Sequence, residues 1–280
     1  MMPIRRDVRA PLSYLLPGTD RPCSYACPPP EGVPWENAQY AAQETTIADA
    51  RLAAQPPALE REGFVLCDAP AALGDVDDAD AVRARLYPEV EALALALTGG
   101  RRARVFDHLV RRREADRAAL SFGRRGADGR AAANGRIHND YTEASGRRRL
   151  GLVLPPEQAA RIRRYCILNV WRSIRGPVLD TPLALCDARS VSATDLVEAE
   201  VRYPQRVGEI YLATHSPRHR WHYFPAMDRH EALVFKQYDS QLSGTTRFTP
   251  HAAFDLPAVP PDAPLRESIE LRCLVVLEQD

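Results

Sequence analysis

The sequence predicts a mostly β protein with flanking helices and a double-stranded β-helix (jelly-roll, cupin-like) core. One helical region is followed by many short segments whose apolar residues alternate as in strands. The 24 prolines among 280 residues indicate long, ordered loops and argue against an all-helical fold. A jelly-roll has this number of strands and brings distant strand ends to one mouth. Since neither a repeat nor a low-complexity linker divides residues 1–280, we expect a single domain.

The N-terminal part of the chain lacks a periodic apolar pattern of its own. Residues 1–60 read as extended segments and loops, interrupted by Pro17-Gly18 and by three prolines at positions 28–30. We therefore expect an N-terminal extension that wraps the main domain. A short strand is predicted at residues 63–67.

The clearest helix follows, because five apolar residues recur at helical spacing along one face. They are Val82, Leu86, Val90, Leu93 and Leu97. Acidic residues at positions 77, 78 and 80 favour the start of this helix, and Gly99-Gly100 ends it. Pro88 is expected to bend or break it.

The remaining chain is predicted to alternate between strands, loops and two short helices. Strands are predicted at residues 104–110, 165–174, 182–186, 209–214, 221–224, 233–238 and 268–277. The short helices are predicted at residues 156–164 and 192–201, and a Gly- and Arg-rich loop at residues 123–136. The arginine runs at 111–113 and 147–149 are interpreted as solvated strand ends or loops.

Composition limits the partners of this protein. The 37 Lys and Arg residues balance the 37 Asp and Glu residues, so electrostatics gives no case for a nucleic-acid partner. No apolar run approaches about eighteen residues, and residues 1–7 lack an apolar signal core, so we expect no membrane span and a cytoplasmic protein. The six scattered cysteines are typical of reduced core residues. The oligomeric state stays open.

The stretch His138-Asn139-Asp140 carries the first chemical motif. At a strand end, side chains i and i+2 point to the same face, so an imidazole nitrogen and a carboxylate oxygen could meet at one point. This mixture of ligands suits iron(II) bound by two histidines and one carboxylate. With seven histidines in the chain, a chance pair in a surface turn is the alternative interpretation.

Two downstream segments make this motif more specific. Thr249-Pro250-His251 offers a third ligand from a distant part of the chain. Arg266 could hold a carboxylate through two hydrogen bonds, and Ser268 adds a donor on the same strand face. Arg272 and Lys236 are rivals for this role. His-x-Asp, then His, then Arg-x-Ser is the ligand order of the iron(II)- and 2-oxoglutarate-dependent oxygenases.

Stretches along nearly the whole chain resemble a family of hydroxylases and desaturases of specialised metabolism. That family is similar to the fungal gibberellin desaturase and to a companion chain of the cephalosporin 7α-methoxylase. The stretches are residues 14–18, 106–108, 110–113, 138–142, 169–172, 182–187, 236–240, 248–251 and 266–270.

The resemblance implies an oxygenase fold over the whole chain, with iron(II) bound by His138, Asp140 and His251. It also implies that Arg266 and Ser268 hold the far carboxylate of 2-oxoglutarate, and that O2 is the other co-substrate. The implied reaction is hydroxylation, desaturation or ring closure of a small specialised metabolite or an amino-acid-derived substrate. The rival function is a non-catalytic accessory chain that keeps the fold, and the intact set of five residues favours the enzyme.

Three further residues are candidates for the pocket. Tyr141 directly follows the ligands, and Trp171 is a second candidate for substrate contact, with core packing as its alternative. Asn169, on the same strand face as Trp171, is a candidate cofactor contact, with a structural hydrogen bond as its alternative. A second group of histidines, at positions 215, 219, 222 and 230, could form a zinc site, although its Arg-rich surroundings favour an exposed loop.

Overall fold

The computed structural model describes residues 7–18, 20–123 and 130–280. Residues 1–6 and 19, and residues 124–129 of the loop predicted at 123–136, lie outside the described residues. The strands are β1 Val8–Leu15, β2 Cys23–Tyr25, β3 Tyr40–Asp49, β4 Phe64–Asp68, β5 Arg102–Arg112, β6 Ala131–Ala132, β7 His138–Asn139, β8 Ile162–Ser173, β9 Leu183–Cys186, β10 Leu196–Arg202, β11 Val207–Ala213, β12 Trp221–Tyr223, β13 Glu231–Asp239, β14 His251–Ala253 and β15 Glu267–Gln279. The helices are α1 Ala79–Thr98, α2 Glu143–Val153 and α3 Pro156–Ala159, with 3-10 turns at Ala50–Leu52, Ala188–Ser190 and Ala193–Asp195.

The strands form two sheets whose inner faces meet. The first sheet has nine strands in the order β1-β3-β12-β9-β14-β7-β11-β10-β2, and the second has six in the order β4-β13-β8-β15-β5-β6. Apolar side chains from both sheets pack in one cluster, which includes Trp171, Phe235, Leu185 and Ala253. The mostly β fold class is confirmed.

Part of the N-terminal segment lies within the first sheet. Strand β1 pairs with β3 along its whole length, and β3 also pairs with β12. Leu12 and Tyr14 alternate with more exposed neighbours and are buried in an apolar cluster with Trp221. The extent of a single domain over residues 1–280 stays a prediction.

Helix α1 covers the outer face of the second sheet. The Asp78 carboxylate accepts hydrogen bonds from the backbone N–H groups of Asp80 and Ala81, and Gly99 ends the helix with φ at 66°. Pro88 does not break the helix, which continues through it. Its buried side chains, including Leu86 and Val90, pack against apolar residues of β8, β13 and β15. The packing on the sheet therefore outweighs the local cost of the proline.

Three local predictions are wrong in type or extent. The helix predicted at 192–201 is a 3-10 turn followed by β10, which pairs with β11 along its full length. The helix predicted at 156–164 ends at Ala159, and β8 begins at Ile162. The arginine run at 147–149 lies in α2, whose first turn is capped by Thr142. In each case strand pairing or capping decides what the local pattern leaves ambiguous.

The second sheet has an apolar outer face and an inner face that carries polar and charged side chains. Its outer face carries Leu168, Val170 and Leu271 against α1. Across the β8–β15 pair, Asn169 lies opposite Arg272 and Trp171 lies opposite Glu270. Because side chains alternate along strands, these polar residues face the first sheet, where the histidines of β7 and β14 lie.

No helix in the described part of the chain is both long enough and apolar enough to cross a membrane.

Candidate active site

Three metal-ligating side chains converge between the sheets. Strand β7 lies between β11 and β14, and His138 lies directly opposite His251 across the β7–β14 pair. Asp140 follows β7. One donor atom from each of His138, Asp140 and His251 lies within 4.8 Å of the others, and both histidines are buried. Within the described residues this is the only group of three or more possible metal ligands.

Backbone carbonyls fix the orientation of both histidine rings. The Nδ1–H of His138 donates to the carbonyl of Arg136 at 2.8 Å, and that of His251 to the carbonyl of Thr249 at 3.2 Å. A carbonyl oxygen can only accept, so Nδ1 carries the proton and Nε2 carries the lone pair. The amide Nδ2 of Asn134 lies 3.3 Å from Nε2 of His138. Burial, and then the charge of His138, lower the pKa of His251 to about 3, so the ring stays neutral at physiological pH.

Two side chains hold the far oxygen of the Asp140 carboxylate. Asn169 Nδ2 and Arg272 Nε each donate to Asp140 Oδ2 at 2.9 Å. Asp140 Oδ1 is left beside His138 Nε2, at 3.4 Å. Burial alone would raise the pKa of Asp140, but the charge of Arg272 holds it well below its usual value. The carboxylate is therefore ionised, with one oxygen free for a metal.

Buried amides join the two segments that carry the ligands. Asn139 Nδ2 donates to the carbonyl of Gln237, and Asn139 Oδ1 accepts from the backbone N–H of Thr249 at 3.0 Å. Gln237 Oε1 accepts from the backbone N–H of Asp140, and its Nε2 donates to the Thr249 carbonyl. The distance between β7 and β14 is thus fixed by amides as well as by the strand pair.

The donor set fits iron(II). Two neutral imidazoles and one carboxylate, buried and already oriented, are the ligands of the two-histidine, one-carboxylate facial triad. Asn169 Oδ1 is in addition a buried acceptor that has no donor within the described residues. An unsatisfied buried acceptor at this point is consistent with a ligand or water that the site takes up.

Arg266 and Ser268 lie together near Trp171 on the same inner face. Arg266 is 3% exposed, and its Nε and Nη2 both donate to Ser268 Oγ at 3.2 Å. Its Nη1 donates to the carbonyl of Thr181 at 3.1 Å, and the guanidinium lies 5.3 Å from the centre of the Trp171 ring. Within the described residues, no carboxylate forms an ion pair with this guanidinium. Burial, and then the charge of Arg111, lower the pKa of Arg266 to about 10.

Arg272 and Lys236, the two alternatives to Arg266 for binding the co-substrate carboxylate, already bind other side chains. Arg272 donates to Asp140, to Asp107 at 2.9 Å and to Glu270 at 2.8 Å, so all three of its nitrogens are occupied. The buried Lys236 ammonium donates to Glu60 at 2.9 Å and to Asp239 at 3.1 Å. Arg266 therefore remains the cation best placed for a ligand carboxylate.

The three pocket candidates occupy different surroundings. Asn169 contacts Asp140, as described above. Trp171 is 2% exposed and lies against the Arg266 guanidinium, so its ring forms part of the wall beside Arg266. Tyr141 is buried in a separate cluster with Leu154 and Tyr165, and its ring lies 5.7 Å from the Arg149 guanidinium.

Sequence reasoning missed the role of Arg272 and of the amides Asn139 and Gln237. Alternation along β15 does place Ser268, Glu270 and Arg272 on one face, so the signal was present for Arg272. No sequence spacing connects Gln237 with Asp140, since their contact depends on the pairing of distant strands.

The sequence matches known proteins along almost its whole length. A family model described as an oxidoreductase/YMDC permease-like domain matches residues 12–276. The hydroxylase/desaturase efuI of Hormonema carpetanum is 30% identical over 263 residues, covering 86% of this chain and 85% of the relative. The Fe(II)/2-oxoglutarate-dependent dioxygenase nvfI of Aspergillus novofumigatus (strain IBT 16806) is 30% identical over 267 residues, covering 92% of each.

A solved structure shares the fold. The iron and alpha-ketoglutarate-dependent endoperoxidase NvfI superposes with a TM-score of 0.84 and 25% identity, covering 98% of this chain and 99% of that chain. The jelly-roll prediction is confirmed by this match. The chain belongs to the family of iron(II)- and 2-oxoglutarate-dependent dioxygenases that includes these hydroxylases and desaturases, and it is an enzyme whose cofactor and co-substrates are iron(II), 2-oxoglutarate and O2.

Proposed function

We propose that this enzyme holds iron(II) with His138, Asp140 and His251 and oxidises a small specialised metabolite or an amino-acid-derived substrate. The outcome is hydroxylation, desaturation or ring closure. The observation that carries this proposal is that one donor atom from each of the two histidines and the carboxylate lies within 4.8 Å of the others, while each side chain is held by a further hydrogen bond. Two relatives are named as a hydroxylase/desaturase and as a dioxygenase, and these names support the reaction class.

In this proposal Arg266 and Ser268 bind the far carboxylate of 2-oxoglutarate. A buried guanidinium without a carboxylate partner in the described part of the chain favours an anionic ligand, and the neighbouring hydroxyl adds a donor. The Trp171 ring restricts the movement of the guanidinium and keeps water from one side of it.

The chain's own residues orient the metal ligands and limit the number of positions that they occupy at the metal. When bound, iron(II) and 2-oxoglutarate supply the capacity to activate O2 and remove hydrogen from a substrate. The Arg136 and Thr249 carbonyls keep the protons of the two histidines on Nδ1, and Asn169 and Arg272 keep Asp140 Oδ2 occupied. The carboxylate then offers one oxygen rather than two, which leaves more positions at the metal for the co-substrates.

Asn169 acts in this proposal at the border between the metal ligands and the co-substrate, through its free Oδ1. Trp171 is assigned to the co-substrate wall, with the substrate contact predicted from the sequence as a further role. Tyr141 is proposed as a substrate contact, because it directly follows Asp140 and lies beside Arg149.

The test is a spectral and turnover experiment. Under anaerobic conditions, iron(II) and 2-oxoglutarate should give a weak visible charge-transfer band, and with O2 the protein should form succinate slowly even without substrate. Asp140→Ala should abolish both signals, whereas Asp195→Ala, a carboxylate outside the site, should keep them. Undiminished succinate formation by Asp140→Ala contradicts the assigned site. A wild type that binds iron(II) but gives no band with 2-oxoglutarate supports the accessory-chain alternative.

We also infer a cytoplasmic location and a single domain over residues 1–280. All six cysteines lie in the described part of the chain and none forms a disulfide, which is the usual state in a reducing compartment. A fluorescent fusion found in the secretory pathway contradicts this location. Limited proteolysis that releases a stable fragment contradicts the single domain.

A further inference from the structure

Arg111 differs from the arginines that follow it in its choice of partners. Arg112 forms an ion pair with Asp77 at 2.8 Å, and Arg113 forms one with Asp255 at 2.9 Å. Within the described residues, no carboxylate lies at ion-pair distance from Arg111. Its guanidinium therefore has no direct ion-pair partner in this part of the chain.

The contacts of Arg111 occupy only one of its nitrogens. Nη1 donates to the carbonyl of Ala132 at 2.7 Å and to that of Gly123 at 3.1 Å. These carbonyls hold the guanidinium at the edge of the second sheet, where β6 pairs with β5. Nε and Nη2 have no hydrogen-bond acceptor within the described residues, so one edge of the guanidinium is open to a ligand.

The strand register places Arg111 beside the proposed co-substrate anchor. Arg111 lies directly opposite Ser268 across the β5–β15 pair. Residues that lie opposite each other on antiparallel strands share a face, so the Arg111 side chain extends over the inner face that carries Ser268. Ser268 Oγ in turn accepts from Arg266. Arg111 therefore lies across the strand pair from the residue whose hydroxyl contacts Arg266.

Neither arginine has an ion-pair partner among the described residues, although the charge of Glu270 acts to raise the pKa of both. Burial lowers the pKa of Arg111, and the charge of Arg111 is, after burial, the main cause that lowers the pKa of Arg266. Glu270 itself forms its hydrogen bond with Arg272, at 2.8 Å. Two neighbouring cations that repel each other are stabilised by an anion that binds between them.

We propose that Arg111 is a second carboxylate-binding residue, which shares the far carboxylate of 2-oxoglutarate with Arg266 and Ser268. The inference rests on the proposed function, since it extends the co-substrate site described there. The open Nε–Nη2 edge gives Arg111 the paired donors that match a carboxylate. The far carboxylate brings a negative charge to a site where neither arginine has an ion-pair partner within the described residues.

The experiment compares two keto acids that differ only at the far end. The full-length protein is loaded with Mn(II), a redox-inert substitute for iron(II), and titrated anaerobically with 2-oxoglutarate or with 2-oxobutanoate, which lacks the far carboxylate. Wild type is compared with Arg111→Gln, Arg111→Lys and Arg266→Gln, and with Arg112→Gln as the matched control. The readout is the ratio of the two affinities, which a general loss of folded protein does not change.

We expect Arg111→Gln to weaken 2-oxoglutarate binding by about 10- to 100-fold and to leave 2-oxobutanoate within about twofold, since one charge-assisted contact is lost. Arg111→Lys should lose less, and Arg112→Gln should change neither affinity. An unchanged ratio in both Arg111 variants overturns the inference, as does an equal loss for both keto acids. If Arg266→Gln also leaves the ratio unchanged, the proposed co-substrate site itself is wrong.

Discussion

Two groups of histidines in this protein lie beside carboxylates, and they use their ring nitrogens differently. In the proposed metal site, His138 and His251 each give Nδ1–H to a backbone carbonyl, and donor atoms of both rings converge with the Asp140 carboxylate, with Asn134 Nδ2 as a further neighbour of His138 Nε2 at 3.3 Å. His219 contacts the Tyr14 hydroxyl at 3.0 Å through Nδ1 and the Asp195 carboxylate at 3.2 Å through Nε2. Both nitrogens of His219 are therefore occupied, and no lone pair is left for a metal.

The difference shows that proximity of histidine and carboxylate is not sufficient for a metal site. Trp221 Nε1 donates to the same Tyr14 hydroxyl at 2.7 Å, so the second group is a satisfied chain of hydrogen bonds within an apolar cluster. The zinc site considered for the histidines at 215, 219, 222 and 230 does not form a converging set within the described residues. Converging donor atoms distinguish the site that can bind metal.

The largest expected effect separates the two groups by metal affinity. His251→Ala should weaken iron(II) or Mn(II) binding by more than about 100-fold, because loss of a mere hydrogen-bond partner of a ligand already costs about 10- to 100-fold. His219→Ala should leave the affinity within about twofold. Anaerobic metal titration of both variants checks this. Equal affinities for His251→Ala and wild type would exclude His251 as a ligand, and His230 would be tested next.

The next effect concerns the two arginines of the last strand region. Arg266→Gln should weaken 2-oxoglutarate binding by about 2–5 kcal/mol because it removes one partner of a desolvated ion pair. Arg266→Lys keeps the charge without the planar fork and should lose less. Arg272→Lys should instead weaken metal binding, since Asp140 loses a donor. Anaerobic titrations of both ligands check this, and the reverse pattern shows that Arg272 is the anchor.

A smaller effect is expected from the amide that holds Asp140. Asn169→Ala removes one of the two donors to Asp140 Oδ2 and should lower metal affinity by about 10- to 100-fold. The 2-oxobutanoate affinity of the metal-loaded variant reports whether the free Oδ1 also contacts the co-substrate. Asn37→Ala, which removes an amide far from the site, is the control. Unchanged metal affinity in Asn169→Ala would mean that Arg272 alone orients the carboxylate.

The smallest effect is expected in the second histidine group, where a substitution should change the stability of the protein and not its metal affinity. Tyr14→Phe leaves Trp221 Nε1–H without its acceptor and should lower the free energy of unfolding by about 1–3 kcal/mol. Metal affinity should not change. Urea unfolding, followed by metal titration of the folded variant, checks both points. If Tyr14→Phe also lowered metal affinity, the second histidine group would contribute to metal binding, and the two groups would not differ as described.

The sequence by itself predicted the fold class and which of the candidate site residues lie together. Alternating apolar segments predicted the strands, and the spacing of His138 and Asp140 put them on one side of a strand end. The i, i+2 spacing of Arg266 and Ser268 was likewise sufficient to place them together. These inferences succeed because the geometry of a strand is local and repeats every second residue.

The tertiary structure alone decided which atoms are available for chemistry. Strand pairing turned the predicted helix at 192–201 into β10, and it brought Arg272 to Asp140 and Arg111 to Ser268. Which nitrogen of each histidine carries the proton depends on where a backbone carbonyl lies once the sheets have closed. Such contacts join residues that are far apart in the chain, so their formation depends on packing rather than on any spacing that a sequence displays.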